Sequence, residues 1–375
     1  MRAVGIVRTF AAGCQGASWL VLLWIAVHDG AGVLSAAGLA WVHLVALGWF
    51  TVTALALLPA IVPHVTGVAW RSLPVTGASL AGIAAGTLAL VVALPFAPRF
   101  SAAAAALLVA GILLYAGVAL VTLRQARDGS RVERAVARAF SIAVALLALV
   151  AAIGFALALG YSGLVAAPWL AALASAHANL AFFGWLSLLV YGVSARTVRE
   201  MTGVRSRFPL IHIVVGTATL AGGLLLAIGS GIGNAVVAWI GGIAVGVAAA
   251  AYAFDVVDLL RRAGDGRGVP RAFVGAAIAW LLVAVALGAL ALAGKPVALA
   301  YGFVVLAGWI GQMVNAHMPA ASGRSAALEW TAFALMQIAV ALGATGLLSG
   351  VAPAVAAGAV AGCAGWVALV GAPVA

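Results

Sequence analysis

The stretch Trp41–Gly67, WVHLVALGWFTVTALALLPAIVPHVTG, decides the fold. It is an apolar run long enough to cross a bilayer, whose hydrocarbon core of about 30 Å takes roughly 20 helical residues. His43 is set inside the run, a Gly48-Trp49 pair follows, and the stretch closes on Pro63-His64-Val65-Thr66-Gly67. The pattern then returns. Asn179–Gly203, NLAFFGWLSLLVYGVSARTVREMTG, aligns without a gap when Gly48 is set on Gly184. Trp49 then falls on Trp185, Thr51 on Ser187, His64 on Glu200, and Thr66-Gly67 on Thr202-Gly203. A further pair, Gly308-Trp309, lies in YGFVVLAGWIGQMVNAHM. Internal repeats of this kind are frequent in membrane proteins.

Composition agrees with a membrane fold. The 375 residues are 66% hydrophobic and 7% charged, outside the range of soluble domains. The 46 glycines suit helices that pack closely in lipid. The apolar runs are long and do not alternate, which excludes a β-barrel. The fold class is all-α, a polytopic membrane protein forming one domain over 1–375, with the lipid bilayer as its first partner. The formal charge of +11 invites a nucleic-acid reading. The distribution of the charge explains it better, and no nucleic-acid partner is expected. Cys14 and Cys363 both fall in apolar runs and there is no Cys-x-x-Cys, so neither a disulfide nor a thiolate metal site is inferred. The opening MRAVGIVRTF resembles a signal sequence, but so many spans follow that it reads as the first retained helix.

Twelve spans are expected, at 10–28, 34–62, 73–94, 101–123, 139–161, 166–194, 208–230, 233–254, 272–293, 297–318, 326–348 and 351–372. Lys and Arg collect on the cytoplasmic side of such chains. With the N-terminus inside, 17 of the 19 basic residues fall there, and only Arg99 and Lys295 fall outside. One span more or fewer would destroy that asymmetry. The expected protein sits in a bacterial-type cytoplasmic (inner) membrane with both termini cytoplasmic. The Gly-Trp pairs lie on spans two, six and ten, four helices apart. The chain thus reads as three pseudo-equivalent four-helix units, approximately 1–130, 131–265 and 266–375. For any single pair, plain packing of a small residue beside a large one is the simpler account.

Ionisable residues inside a span are costly and commonly functional. The six histidines sort by depth. His43 and His177 form an outer level, while His28 sits beside Asp29 at the outer end of span one. His64, His212 and His317 form an inner level, with Met201 and Met318 nearby. Neutral imidazole is the commonest protein metal ligand and the usual axial ligand of haem iron. The plainer account is a hydrogen bond to a neighbouring helix, above all for the inner three. Met313 and Met336 read as packing. Asp255 and Asp258 flank a basic run and read as solvated, and Glu329 reads as a helix N-terminal carboxylate. No Walker loop or HExxH is present.

Twelve helices, threefold four-helix units and a histidine early in span two resemble the haem-copper oxidase subunit I superfamily. Span two is most similar to its NnrS-like branch. That branch carries a Trp-His-x-His stretch followed by Gly and ending in Pro-x-x-Thr-Gly; Trp41, Gly48, Pro63, Thr66 and Gly67 match, and His43 is the histidine set against that stretch. His177, in SAHANLAFFGW, is similar to the span-six histidine of small oxidase-like proteins. The resemblance implies haem, of b type, and copper as cofactors. It implies a role near nitric oxide or respiratory metal chemistry, with a redox partner or respiratory complex. His43 would be an axial haem ligand, and His177 the second one or part of a separate metal site. The departures are specific. The oxidases carry a histidine pair on span seven and another on span ten, where this chain has only His212 and only His317. Val42 stands where the first histidine of the span-two pair would be. A complete oxygen-reducing site is therefore not expected. One alternative is a transporter or metal-delivery protein on the same scaffold, with His64, His212, His317, Met201 and Met318 as a soft-metal transit site. Another is a structural subunit of a respiratory complex.

Overall fold

A computed structural model of the chain describes residues 2–30, 35–125, 131–166, 168–208, 210–264, 268–317 and 325–370. Among these, twelve helices are long and apolar enough to cross a membrane, and no strand occurs. Many large apolar side chains point outward, among them Leu88, Val92, Leu113 and Ile243. A water-soluble surface would not carry so many. The chain is an all-α, multi-pass membrane protein in contact with the lipid bilayer.

The helices follow the apolar runs within a few residues, with two exceptions. Span six is Leu170–Thr202 and span eight is Ala235–Arg262. Both continue about two turns past the end of the apolar run. In each extension an acid and a base stand four residues apart, where a helix brings side chains together. Arg196 meets Glu200 at 2.6 Å, and Arg262 meets Asp258 at 2.5 Å.

Spans two, six and ten share a local conformation. Each changes from α-helix to π-helix, over Leu44–Thr51, Leu180–Ser187 and Val304–Ile310. In all three the glycine of the Gly-Trp pair is the fifth π-helical residue. Runs of π-helix are rare and recur at functional positions. The change from i−4 to i−5 bonding releases carbonyls, and nearby side chains take them up. Thr53 donates to the Trp49 carbonyl at 2.6 Å, Ser187 to Phe182 at 2.5 Å and Gln312 to Ala307 at 3.1 Å. The glycines of the later two pairs also mark close approaches. A Cβ on Gly184 would lie 3.3 Å from Leu146 of span five, and one on Gly308 3.0 Å from Trp280 of span nine.

The Thr-Gly ends of spans two and six are helix stops. Thr66 and Thr202 donate back to the Val62 and Val198 carbonyls, each at 2.8 Å. Gly67 and Gly203 then take left-handed φ values of 68° and 69°. That conformation suits glycine and closes the helix by an amide bond to the Pro63 and Arg199 carbonyls.

By compactness the chain parts into two units. The first comprises Met1–Ala11, Ala46–Val193 and Gly216–Val245. Here spans three and four meet through glycine: a Cβ on Gly86 would be 2.5 Å from the Leu108 amide, and Ser79 donates to the Gly111 carbonyl at 2.6 Å. Trp185 Nε1 donates to Thr51 Oγ1 at 3.0 Å, tying the end of one π segment to the tryptophan of another. The second unit comprises Ala12–Val45, Ser194–Val215 and Gly246–Ala375. Spans one and twelve interlock in it by exchanging glycine for tryptophan. The Trp366 ring covers Gly16, the Trp19 ring covers Gly362, and Trp366 Nε1 donates to the Ala12 carbonyl at 2.8 Å.

Candidate functional site

His43 is the last α-helical residue before the first π segment. Its Nδ1 lies 2.7 Å from the Leu39 carbonyl, one turn back. A carbonyl only accepts, so Nδ1 carries the proton and the lone pair of the neutral ring is on Nε2. That tautomer is the one a metal-ligating histidine adopts, with its other nitrogen held by a second group. In the same unit Trp41 stacks on Phe303 at 5.8 Å.

His177 has the same tautomer by a different route. Its Nδ1 donates across to the Val150 carbonyl of span five at 3.1 Å. Gly154, one turn further along span five, makes room for the ring: a Cβ there would lie 3.0 Å from His177 Cε1. His43 and His177 each stand seven residues into their helices. Their register to the glycine differs, however. His43 is five residues before Gly48 and His177 seven before Gly184. Two residues rotate a side chain by about 200° around an α-helix. The residue in the His43 register of span six is Asn179, which donates to Ser230 at 3.1 Å. His43 belongs to the second compact unit and His177 to the first.

The inner residues are placed variously. His64 is exposed at the end of span two. His317 ends span ten and has both ring nitrogens engaged: Nδ1 donates to the Met313 carbonyl at 2.7 Å, and Nε2 accepts from Thr197 at 2.5 Å. The Met201 carbonyl takes two hydrogen bonds from Arg271. Met318 lies outside the described residues. Among the described residues no three His, Cys, Asp or Glu side chains gather as a metal group.

His212 faces a residue that the sequence misplaces. Asp255 is not solvated; it is 1% exposed, with Oδ1 accepting from Ser206 at 2.5 Å. Its Oδ2 lies 3.7 Å from His212 Nε2, and neither atom has a hydrogen-bond partner among the described residues. At that distance the carboxylate and the imidazole attract as a charge pair when the ring is protonated, without a hydrogen bond between them. Asp258 is likewise not simply solvated, since Arg262 grips it through Nε and Nη2. Glu329 does fall in the first turn of its helix, after the Ser325 cap. The sequence carries no direct signal for the burial of Asp255, because that residue lies just past the apolar run and is brought inside only by the helix continuing to Arg262.

The second unit also holds carboxamides that sequence reasoning passed over, Gln15, Gln312 and Asn315 buried and Gln337 half-buried. Gln15 of span one donates to Asn315 of span ten at 3.1 Å. Gln337 donates to Gln312 at 2.8 Å and accepts from Trp280 at 3.0 Å. Pairing offsets part of the cost of burying polar groups, and these bonds tie spans one, nine, ten and eleven together.

No family model matches the chain, and no curated protein matches it either. The functional reading therefore rests on the residues themselves.

Proposed function

We propose that the chain is a haem-binding multi-pass membrane protein in which His43 supplies the axial imidazole. The observation that carries the reading is the His43 ring. Leu39 holds its Nδ1–H, its ligand lone pair is on Nε2, and a π-helical segment begins at the next residue. The residues fit the group in chemistry: a neutral imidazole of fixed tautomer within an apolar span is the usual ligand of haem iron. The chain has no Cys-x-x-Cys-His, so the haem would be held without thioether attachment, as b-type haem is. When bound, haem supplies an iron centre for electron transfer or for a small diatomic such as nitric oxide. The protein's part is to hold the imidazole, keep it neutral and exclude water. His177, seated on Val150 and Gly154, is a second and separate candidate ligand.

Oxygen reduction is not part of the proposal. Span seven carries only His212, which faces Asp255, and span ten only His317, whose nitrogens are taken. The basic-residue asymmetry supports a cytoplasmic-type membrane with both termini inside. The test is a purified, detergent-solubilised sample. A Soret band that His43→Ala abolishes or shifts in spin state, and that His64→Ala leaves unchanged, is the expected result. A colourless protein, or a band indifferent to His43→Ala, defeats the proposal.

A further inference from the structure

The ends of spans six and eight form a basic platform with an apolar wall beneath it, all within the second unit. The segment after span six is pinned down: Ser206 donates to Asp255, and Arg262 Nη2 donates to the Arg205 carbonyl at 3.0 Å. Pinning the backbone leaves the side chains of Arg205 and Arg207 exposed. Arg261 is exposed at the end of span eight, beside Arg262. Of the four arginines, two reach a carboxylate, and it is the same one: Arg262 grips Asp258 at 2.5 Å and Arg207 approaches it only to 3.9 Å, while Glu200 at the end of span six is taken by Arg196. Arg205 and Arg261 make no ion pair among the described residues.

The wall is continuous with this platform. Phe254 lies seven residues before Arg261, so both occupy one face of span eight. Val247, seven residues earlier again, extends the same face. Phe254 is 60% exposed, and Phe208 of the pinned segment packs against it with ring centroids 5.5 Å apart. A single helix face thus runs from exposed aliphatic, through an exposed aromatic pair, to excess positive charge at the point where the span ends. A phospholipid has the complementary order, acyl chain and then phosphate.

We propose that Arg205, Arg207 and Arg261, with Phe208 and Phe254 below them, form a binding site for one anionic phospholipid, its phosphodiester on the arginines and an acyl chain along Phe254 and Val247. The positive charge selects against zwitterionic lipid, and the aromatic pair selects a lipid over a free anion. Basic residues near a membrane surface each strengthen anionic-lipid binding about fivefold. The inference is independent of the haem reading.

The test uses the full-length protein in neutral detergent. Phosphatidylglycerol, phosphatidylcholine and inorganic phosphate are each added, with retained lipid counted by native mass spectrometry and the unfolding midpoint followed. Phosphatidylglycerol should be retained and should raise the midpoint, the other two should not, and added salt should weaken retention. R205Q/R207Q/R261Q should weaken phosphatidylglycerol retention by about a hundredfold, from about fivefold per arginine. The Lys variants at the same positions should keep most of it. Phe254→Ser should weaken the lipid and leave any response to phosphate unchanged. Equal retention of phosphatidylcholine overturns the proposal, as does an equal response to phosphate. Salt-independent retention by the unmodified protein overturns it too, and that arm needs no variant to fold.

Discussion

Thr51→Val tests the link between the π segments of the first unit. Valine keeps the shape of threonine and removes the hydroxyl that accepts from Trp185 Nε1 at 3.0 Å. Thr51 and Trp185 are both fully buried, so neither group can turn to water. In water-soluble proteins an orphaned buried donor costs about 1–3 kcal/mol. Within a bilayer the unfolded reference also finds partners, and interhelical bonds measure about 0.6 kcal/mol on average and ~1.7 at most. The expected coupling between Thr51→Val and Trp185→Phe is therefore about 0.6–1.7 kcal/mol. The assay is a double-mutant cycle on reversible unfolding in mixed micelles, followed by tryptophan fluorescence. If the two changes add to within about 0.3 kcal/mol, the bond does not link the segments and the reasoning fails.

The other predictions draw on separate contacts. Gly362→Ala places a methyl group 2.3 Å from the Trp19 ring and should cost about 1–3 kcal/mol; Gly13→Ala, whose methyl meets nothing within 4 Å, should be close to neutral. Equal unfolding midpoints for the two variants would count against the tryptophan–glycine interlock. Asp255→Ala leaves Ser206 without its acceptor and should cost about 1–3 kcal/mol, whereas Asp255→Asn keeps an acceptor oxygen and should cost less. An Asp255→Ala protein as stable as the parent would argue that the carboxylate is not buried. Reporter fusions after Arg131 and Arg205 should read cytoplasmic and one at Gly163 external, and opposite sides for the first two would break the twelve-span topology.

The spans were legible because a hydrocarbon core imposes a length and a composition that no local accident imitates. The face each span buries was much less legible. When nearly all side chains are apolar, periodicity carries little information, and lipid contact looks like core. Asp255 shows the consequence: its burial depends on Ser206 across a loop and on a helix that continues past its apolar run, held by Arg262 on Asp258. The ends of spans six and eight were placed too early for the same reason. The π segments have no composition of their own, yet the Gly-Trp recurrence marked their positions in register. The Pro-x-x-Thr-Gly ending, which carried part of the family resemblance, is a helix stop in this structure and recurs without the proline at Thr202-Gly203. His43 and His177 each stand seven residues into their helices and differ in register to the glycine, because the two glycines lie at different distances from the helix starts.

The central claim is that the His43 imidazole is a haem ligand and not a packing residue, and chemical rescue tests it most directly. His43→Gly removes the ring and leaves space where it stood. Free imidazole added to the purified variant, in the presence of haem, should restore the Soret band and the spin state of the parent protein. A His43→Gly protein that keeps the parent spectrum without imidazole, or that loses it and regains nothing on adding imidazole while still folded, would contradict the claim.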